Sequence, residues 1–329
     1  MARIVRFHET GGPEVLKIEQ VDVPPPGPGE VRIAVKALGL NRAEAMFRSG
    51  RYLEPPRFPA RLGYEAAGTV AALGEGVRGL NVGDAVGTIP AFSQNQYGVY
   101  GDTAIVPASA VAKHPASLSW AEAAAVWMQY ITAYGALIDI AGVKAEDTLL
   151  IPAASSSVGI AAIQIARMVG ATPVALTRGS SKREALLTAG AAHVIVTQEQ
   201  DPVAEANKLT GGKGARIVFD PVGGPTVAKL TAAMAERGIL FLYGVLSTEP
   251  TPLPLMDVIS KSLMIRGYVL FEITGDPRRL ERATKFIVDG LSAGKLKPVV
   301  ARTFPLDRIV EAHRYLESNQ QVGKIVVTV

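Results

Sequence analysis

Apolar runs and amphipathic helical segments alternate without interruption between residues 147 and 269. The apolar runs are nearly continuous, which is typical of strands buried on both faces of a sheet. Because strict strand–helix alternation favours a parallel sheet with helices on both sides, the sequence predicts a doubly wound α/β domain. The predicted strands are Asp147–Pro152, Thr172–Thr177, Val194–Thr197, Arg216–Phe219, Ile239–Tyr243 and Leu263–Val269, and the predicted helices are Val158–Val169, Ser181–Ala189, Pro202–Leu209 and Thr226–Glu236.

A different pattern precedes and follows this region. Glu30–Leu38 alternates between polar and apolar residues, as a half-buried strand does, and glycine-rich turns separate further short strands at Gly68–Leu73 and Asp84–Ile89. Short strands with frequent glycines predict a mainly β, barrel-like domain. Ser119 and Glu122 form a capping-box pattern at the start of an alanine-rich helix. The last part of the chain is predicted to form helices Leu280–Ser292 and Leu306–Ser318 and a strand, Gly323–Val329, that rejoins the β domain.

The length of 329 residues is sufficient for two domains. We predict a Rossmann domain over residues 122–266 and a β domain made of residues 1–121 and 267–329. The 34 Lys and Arg residues nearly balance the 30 Asp and Glu residues, so no broad basic face for nucleic acid is expected. No cysteine is present, which excludes disulfides and thiolate metal sites. The N-terminus does not resemble a signal peptide and no apolar run reaches membrane-spanning length, so we expect a cytoplasmic protein.

The turn after the first strand of the alternating region reads Ala153-Ala-Ser-Ser-Ser-Val-Gly159. The glycines of the dinucleotide fingerprint G-x-G-x-x-G would fall on Ala154, Ser156 and Gly159, so only the third glycine is present. A strand–turn–helix start at this point of the fold nevertheless predicts that backbone amides bind a cofactor pyrophosphate. The alternative is that the serines only cap the helix.

The second strand of the same region ends in Thr177-Arg-Gly-Ser-Ser-Lys-Arg183. Enzymes that use NAD carry an acidic residue here for the ribose hydroxyls, and none is present. The guanidinium of Arg178 is suited to a charge-assisted, bidentate contact with a 2′-phosphate. The segment therefore predicts NADPH as the cofactor, and the alternative is a solvated helix start with incidental cations.

Several motifs along the chain together resemble one family. The chain is similar to the zinc-independent medium-chain dehydrogenases/reductases, and specifically to their quinone oxidoreductase, or zeta-crystallin-like, branch. The resemblance implies a GroES-like fold for the β domain. The motifs are Asn41 with Arg48-Ser-Gly-Arg-Tyr52, Leu62-Gly-Tyr-Glu-Ala-Ala-Gly68, Gln129-Tyr-Ile-Thr-Ala133, Ser156-Ser-Val-Gly159, Asp220-Pro-Val-Gly-Gly224 and Val322-Gly-Lys-Ile-Val-Val327.

Zinc-dependent members of this family carry a cysteine and a histidine at the positions that match Asn41 and Tyr64 in this sequence. Without these ligands, zinc is not available to polarise an alcohol. The expected reaction is hydride transfer from NADPH to an acceptor that is already electrophilic. We therefore predict an NADPH:quinone reductase. The alternatives are an NADPH-dependent enone or enoyl reductase, with Arg48, Arg51 and Arg57 as candidates for contacting a carrier, and a non-catalytic, crystallin-like protein that binds NADPH or RNA.

The resemblance also implies roles for individual residues. Asn41 and Tyr52 would be catalytic and would lie near the nicotinamide and the substrate. No metal site is expected, the acceptor is a small quinone or conjugated carbonyl, and a homodimer is expected because family members are commonly dimers through the edge of the nucleotide-binding sheet. The residues implied to bind the cofactor are Asn41, Thr132, Ser156, Ser157, Val158, Thr177, Arg178, Lys182, Gly244, Leu246, Ser247, Phe271 and Lys324.

Overall fold

The computed structural model describes residues 1–329, which form fifteen strands and eleven α-helices. The strands are β1 (Ala2–Arg6), β2 (Lys17–Val21), β3 (Glu30–Leu40), β4 (Glu65–Leu73), β5 (Ala85–Thr88), β6 (Thr103–Pro107), β7 (Val111–Lys113), β8 (Thr148–Ile151), β9 (Thr172–Thr177), β10 (His193–Val196), β11 (Ala215–Asp220), β12 (Met234–Leu242), β13 (Met264–Gly267), β14 (Val300–Pro305) and β15 (Lys324–Thr328).

The helices are α1 (Arg42–Arg48), α2 (Trp120–Ala123), α3 (Trp127–Tyr134), α4 (Ser157–Met168), α5 (Arg183–Thr188), α6 (Pro202–Thr210), α7 (Thr226–Ala232), α8 (Leu255–Ser260), α9 (Phe271–Thr274), α10 (Pro277–Ser292) and α11 (Ile309–Glu317). A π-helical segment, Gly135–Ile140, directly follows α3. None of the helices combines the length and the apolar character that a membrane crossing requires.

The chain divides into two units. The first unit comprises Met1–Met128, Thr284–Ser292 and Lys297–Val329, and the second comprises Gln129–Ala283 and Ala293–Leu296. The sequence places the domain boundaries after residues 121 and 266, and these boundaries remain a prediction.

The first unit contains a seven-stranded sheet in the order β14-β15-β3-β4-β5-β7, in which β6 also pairs with β3, and a separate pair, β1-β2. The alternation along β3 buries Val31, Ile33 and Val35, as the sequence predicts for a half-buried strand. The chain end returns to this sheet, because β15 pairs antiparallel with β3 and places Ile325 opposite Leu40. The predicted return of the last strand to the β domain is therefore confirmed.

The second unit contains a six-stranded sheet in the order β10-β9-β8-β11-β12-β13. All neighbouring strands are parallel, which confirms the predicted doubly wound architecture. The chain runs outward from β8 through β9 to β10 and then continues at β11, on the other side of β8. The carboxyl ends of β8 and β11 thus form the switch point at which such sheets bind ligands.

The structure corrects the predicted boundary between helix Thr226–Glu236 and strand Ile239–Tyr243. Helix α7 ends at Ala232 and β12 already begins at Met234. Met234 is buried and pairs with Ala215 of β11, and the amide of Ala215 donates to the carbonyl oxygen of Ala233 at 2.9 Å. Pairing with β11 and burial in the core thus override the helical preference of an alanine-rich sequence.

The alanine-rich helix predicted from Ser119 onwards is also shorter than expected. Its capping box is present, since the side chains and backbone amides of Ser119 and Glu122 bond reciprocally. However, α2 ends at Ala123, and a new helix, α3, begins at Trp127. The cause is a buried carboxylate in β4, Glu65, which accepts hydrogen bonds from the amides at the start of α3.

Candidate functional site

In the second unit, most of the predicted cofactor residues follow the carboxyl ends of the central strands. Ser156, Ser157 and Val158 follow β8, Thr177 ends β9 and is followed by Arg178 and Lys182, and Gly244, Leu246 and Ser247 follow β12. Because parallel strands end at one edge of the sheet, these segments share that edge. The structure therefore brings together the three segments that the sequence analysis assigns to the cofactor.

The turn after β8 has the geometry of a phosphate-binding helix start. Ser156 caps α4 by accepting a hydrogen bond from the amide of Gly159 at 3.0 Å. A Cβ added to Gly159 would lie 2.5 Å from the carbonyl oxygen of Ala154, so this position requires glycine. The first amides of a helix have no partner within it and attract anions. Helix α4 is twelve residues long and presents such amides at Ser157 and Val158.

Two cations lie beyond this turn, after β9. The Lys182 ammonium donates to Oγ of Ser155 at 3.1 Å, so it directly joins the turn after β8 to the segment after β9. Lys182 is half-buried, and burial, followed by the nearby charge of Arg178, lowers its pKa. Arg178 itself is exposed. A negatively charged ligand group in contact with both Arg178 and Lys182 would reduce the repulsion between their positive charges.

The segment after β12 is hydrogen-bonded to the loop that follows β11. The amide of Leu246 donates to the carbonyl oxygen of Pro221 at 3.1 Å, and the amide of Ser247 donates to that of Val222 at 2.9 Å. A Cβ on Gly244 would lie 2.7 Å from the same oxygen of Pro221. These contacts hold the two loops at the edge of the sheet in one arrangement.

Asp220, at the end of β11, was named only as part of a motif in the sequence analysis. Its side chain is fully buried and accepts hydrogen bonds from the amides of Val222 at 2.8 Å and Gly223 at 3.0 Å. Burial raises its pKa. Asp220 therefore shapes the loop after β11.

The remaining two predicted cofactor residues of this unit are Thr132, which is buried in α3, and Phe271, which begins α9 and is half-buried.

In the first unit, Asn41 and Lys324 meet in a buried polar network. The ammonium of Lys324 donates to Oδ1 of Asn41 and to Oε2 of Glu65, each at 2.5 Å. The other oxygen of Glu65 accepts from the amides of Val126 at 3.0 Å, Trp127 at 2.7 Å and Met128 at 3.3 Å. Glu65 and Lys324 are both buried, so this is an ion pair inside the protein. In the sequence, Glu65 stands within the motif Leu62-Gly-Tyr-Glu-Ala-Ala-Gly68 and gives no other signal of a functional role.

Glu44 is the second buried carboxyl group in this network. It accepts hydrogen bonds from the backbone amide of Asn41 at 2.7 Å, from the side-chain amide of Asn41 at 3.2 Å and from the amide of Tyr64 at 3.2 Å. Burial raises the pKa of Glu44 to about 7, although Lys324 and these donors act in the opposite direction. The only sequence signal for this residue is its place three positions after Asn41, which makes it the partner in a capping box for α1.

The structure brings Tyr52 and Tyr64 together. Their ring centroids are 6.3 Å apart and their side chains are hydrogen-bonded. Burial raises the pKa of Tyr52 to about 12 and raises that of Tyr64 further, because the latter also faces Tyr52. Both are therefore neutral hydroxyl groups at physiological pH. Tyr64, which occupies the position of a histidine ligand in zinc-dependent relatives, packs on its other side against Phe92 at 5.7 Å between centroids.

The three arginines considered for a carrier differ in exposure. Arg51 and Arg57 are exposed, whereas only 2% of Arg48 is exposed. The guanidinium of Arg48 donates to Glu317 at 2.5 Å and to the carbonyl oxygen of Gly11 at 3.2 Å. The proposal that Arg48 contacts a carrier is therefore wrong, because its charge is used in an internal ion pair.

Nowhere in the chain do three or more His, Cys, Asp or Glu side chains form a group that could hold a metal ion.

Comparison with known proteins identifies the class of protein that this fold belongs to. Residues 27–116 match the alcohol dehydrogenase GroES-like domain, and residues 157–289 match the zinc-binding dehydrogenase family. Together these matches define an oxidoreductase of the alcohol dehydrogenase type.

Relatives over the full length narrow the class. Quinone oxidoreductase 1 of Escherichia coli is 31% identical, with 98% of each chain covered. Human quinone oxidoreductase is 32% identical, with 99% of this chain and 98% of the relative covered. A 2-haloacrylate reductase from a Burkholderia species is 31% identical, with 99% and 98% covered. The chain belongs to the medium-chain dehydrogenase/reductase family, in its zinc-independent quinone oxidoreductase branch.

Solved structures agree with this assignment. The quinone oxidoreductase of Pseudomonas syringae superposes with a TM-score of 0.92 at 28% identity, and that of E. coli in complex with NADPH with a TM-score of 0.91 at 31% identity. A structure described as an NAD-dependent alcohol dehydrogenase has a TM-score of 0.91 at 33% identity. Each of the three covers 100% of both chains. Similar structures therefore include a protein named for NAD and a protein solved with NADPH. The choice between these two cofactors has to be argued from the residues that would contact the cofactor.

Proposed function

We propose that this protein is an NADPH-dependent reductase that transfers hydride to quinones without zinc. The observation that carries the proposal is the segment after β9, where Arg178 and Lys182 stand in place of the acidic residue that NAD enzymes use. Lys182 already bonds to Ser155 in the turn after β8. A cofactor with an additional 2′-phosphate matches this charge, and NADH does not. The relative whose structure was solved with NADPH supports the same choice.

The residues at the edge of the sheet fit NADPH. The amides of Ser157 and Val158 would hold the pyrophosphate at the start of α4, where Gly159 lets the helix pack closely against Ala154 of the preceding turn. Arg178 and Lys182 would hold the 2′-phosphate by charge-assisted hydrogen bonds. When bound, the cofactor supplies the hydride. Thr177, Gly244, Leu246 and Ser247 would contact the nucleotide from the neighbouring segments, and Thr132 and Phe271 would contact the nicotinamide half.

In the first unit, we assign substrate positioning to Asn41 and Tyr52. Asn41 is nearly buried and its amide is held by hydrogen bonds. Burial raises the pKa of Tyr52 to about 12, so its hydroxyl is neutral at physiological pH, can donate a hydrogen bond to the acceptor and is a weak acid. A quinone that accepts a hydride also needs a proton, and we assign its supply to water and the positioning of the acceptor to Tyr52.

A second candidate function is the reduction of a carbon–carbon double bond conjugated to a carbonyl group. It is favoured by the relative that is named a 2-haloacrylate reductase. Such a substrate is also electrophilic without a metal and needs the same hydride and proton. The two reactions differ in the acceptor alone, so only turnover distinguishes them.

The test is a turnover panel with the purified full chain and NADPH. The acceptors are a benzoquinone, a naphthoquinone, an enone, an enoyl thioester and a haloacrylate, and a simple alcohol is tested separately as a hydride donor with NADP⁺. Under the proposal, kcat/KM is highest for a quinone. A value at least tenfold higher for an enone or haloacrylate would replace the quinone with the second candidate. The proposed reaction would be refuted if no acceptor were reduced while NADPH bound tightly, which is the result expected of a non-catalytic cofactor-binding protein.

The expected homodimer and the expected cytoplasmic location stay predictions. Size-exclusion chromatography with light scattering tests the first. An apparent mass near twice 34.6 kDa is expected, and a mass near 34.6 kDa would contradict it.

A further inference from the structure

The ammonium of Lys324 lies at the centre of the buried network in the first unit. The family resemblance implies that this residue contacts the cofactor, but its side chain is fully buried and its ammonium donates to two side chains, Asn41 and Glu65. We propose that Lys324 is a positioning residue: it orients the amide of Asn41 and, through Glu65, fixes the backbone at the start of α3, and it does not contact the cofactor.

The hydrogen bonds of Asn41 show how this orientation is set. Its Nδ2 group donates to the carbonyl oxygen of Gly39 and to Oε1 of Glu44, both at 3.2 Å. Its Oδ1 atom accepts from Lys324. An ammonium group only donates, so it selects the oxygen end of the amide and leaves the nitrogen end for the two acceptors. Lys324 at the oxygen end and the two acceptors at the nitrogen end therefore hold the amide together in one orientation.

The second link runs through Glu65 to the backbone. One of its oxygens receives Lys324 and the other receives three successive amides, those of Val126, Trp127 and Met128. These amides belong to the start of a helix and would otherwise lack partners. The carboxylate therefore connects a side chain of β15 to the beginning of α3, and its own charge is balanced by Lys324.

Close packing encloses the pair. A Cβ added to Gly39 would lie 1.9 Å from the carbonyl oxygen of Ala124, 2.8 Å from Cε of Lys324 and 2.9 Å from Oε2 of Glu65. Backbone and both charged side chains therefore meet in the space left by the missing side chain. The ammonium cannot turn to a bound ligand without breaking its contacts with Asn41 and Glu65.

The test compares Lys324→Met with Lys285→Met. Methionine has nearly the shape of lysine but no charge, and Lys285 is an exposed residue paired only with Asp289. The part of the test that uses turnover rests on the proposed function. For Lys324→Met we expect kcat with the best acceptor to fall at least tenfold while the Kd for NADPH changes less than threefold; Lys285→Met should change neither. A tenfold weaker NADPH affinity with kcat retained would make Lys324 a cofactor contact and overturn the proposal, as would unchanged kcat.

A double-mutant comparison tests whether Lys324 acts through Asn41. If it does, the loss of kcat in the variant that carries both Lys324→Met and Asn41→Ala should be smaller than the product of the two single losses. Fully multiplicative losses would show that Lys324 does not act through Asn41 and would contradict the proposal.

Hydrogen exchange provides a readout that needs neither NADPH nor turnover. In Lys324→Met, the peptide covering residues 124–130 should exchange at least tenfold faster, and the peptide covering residues 215–220 in the second unit should change less than twofold. Equal acceleration of both peptides, or of neither, would overturn the proposal. If the wild type fails to reduce any acceptor, the proposed function is refuted and this measurement still decides the role of Lys324. Should Lys324→Met fail to fold, Lys324→Gln, which keeps a neutral donor, is used in the same comparisons.

Discussion

Removal of the Arg178 side chain offers the sharpest test of cofactor choice. The Arg178→Ala variant loses one of the two cations that would face a 2′-phosphate and leaves Lys182 in place, bonded to Ser155. A hydrogen bond to a charged group contributes about 1.5–3 kcal/mol. Arg178 is exposed, so solvent screens its charge and the lower end, about 1.5 kcal/mol, applies. Since about 1.4 kcal/mol corresponds to a factor of ten, the Kd for NADPH should rise roughly tenfold.

The assay is a fluorescence titration with NADPH and with NADH at fixed ionic strength. The Kd for NADH should change less than twofold, because NADH lacks the phosphate that Arg178 would contact. Arg183→Ala is the matched control. Arg183 belongs to the same basic segment, but it also donates to the carbonyl oxygen of Val194 in β10, at 3.4 Å. It should leave both affinities within twofold of the wild type.

Two outcomes would refute the reasoning. An equal loss of affinity for NADPH and NADH would mean that Arg178 supports the fold of this segment and does not read the phosphate. Equal wild-type affinities for the two cofactors would mean that the cations after β9 are incidental, and the assignment of NADPH would fail with them.

Three further predictions follow from the described contacts. Gly159→Ala should destabilise the protein by about 1–3 kcal/mol and weaken NADPH binding, because the added Cβ would lie 2.5 Å from the carbonyl oxygen of Ala154. The control is Gly267→Ala, since a Cβ at that position meets no atom within 4 Å. Equal melting temperatures for the two variants would contradict the predicted clash. Burial raises the pKa of Glu44 from 4.5 to about 7, so the folded state binds its proton more tightly and the free energy of unfolding should fall by about 3 kcal/mol as pH rises across that range. Burial lowers the pKa of His313 from 6.5 to about 3, so the free energy of unfolding gains a contribution as pH rises to 6.5, and this gain offsets the fall due to Glu44. In the variant His313→Phe, urea unfolding should therefore show that the free energy of unfolding declines between pH 5 and 7. If it stays constant over this range, Glu44 is not buried as a neutral acid. Dialysis against EDTA should leave the melting temperature and turnover unchanged, whereas a loss restored specifically by zinc would contradict the zinc-free mechanism.

Local sequence patterns predicted the parallel sheet and its order of elements well. Strands β8 to β13 follow the apolar runs, and the turn at Ser156 begins a helix as expected, because such features depend on residues close together in the chain. Boundaries were less accurate where distant contacts decide them. Helix α7 ends before Met234 because that residue pairs with β11, and no pattern within residues 226–236 shows this partner.

The residues of the candidate site also differ in how well the sequence predicts them. The position of Arg178 and Lys182 after β9 is visible in the sequence, because strand ends and helix starts locate a cofactor in this fold. Glu44 gave only the weak signal of a capping box. Glu65 stood only within the motif Leu62-Gly-Tyr-Glu-Ala-Ala-Gly68, and a glutamate next to an apolar strand is otherwise equally typical of an exposed strand start.

The sequence by itself determined the fold class, the strand–turn–helix start at Ser156 and the cations after β9, because each depends on the spacing of neighbouring residues. Only the tertiary structure decided the surroundings of Lys324. This residue meets Glu65 and Asn41 across 259 and 283 positions of sequence, respectively. A lysine in the last strand is normally exposed, and its burial depends on two oxygen acceptors that the folded chain alone brings to it. The first unit thus contains a buried ammonium whose two partners no local pattern predicts.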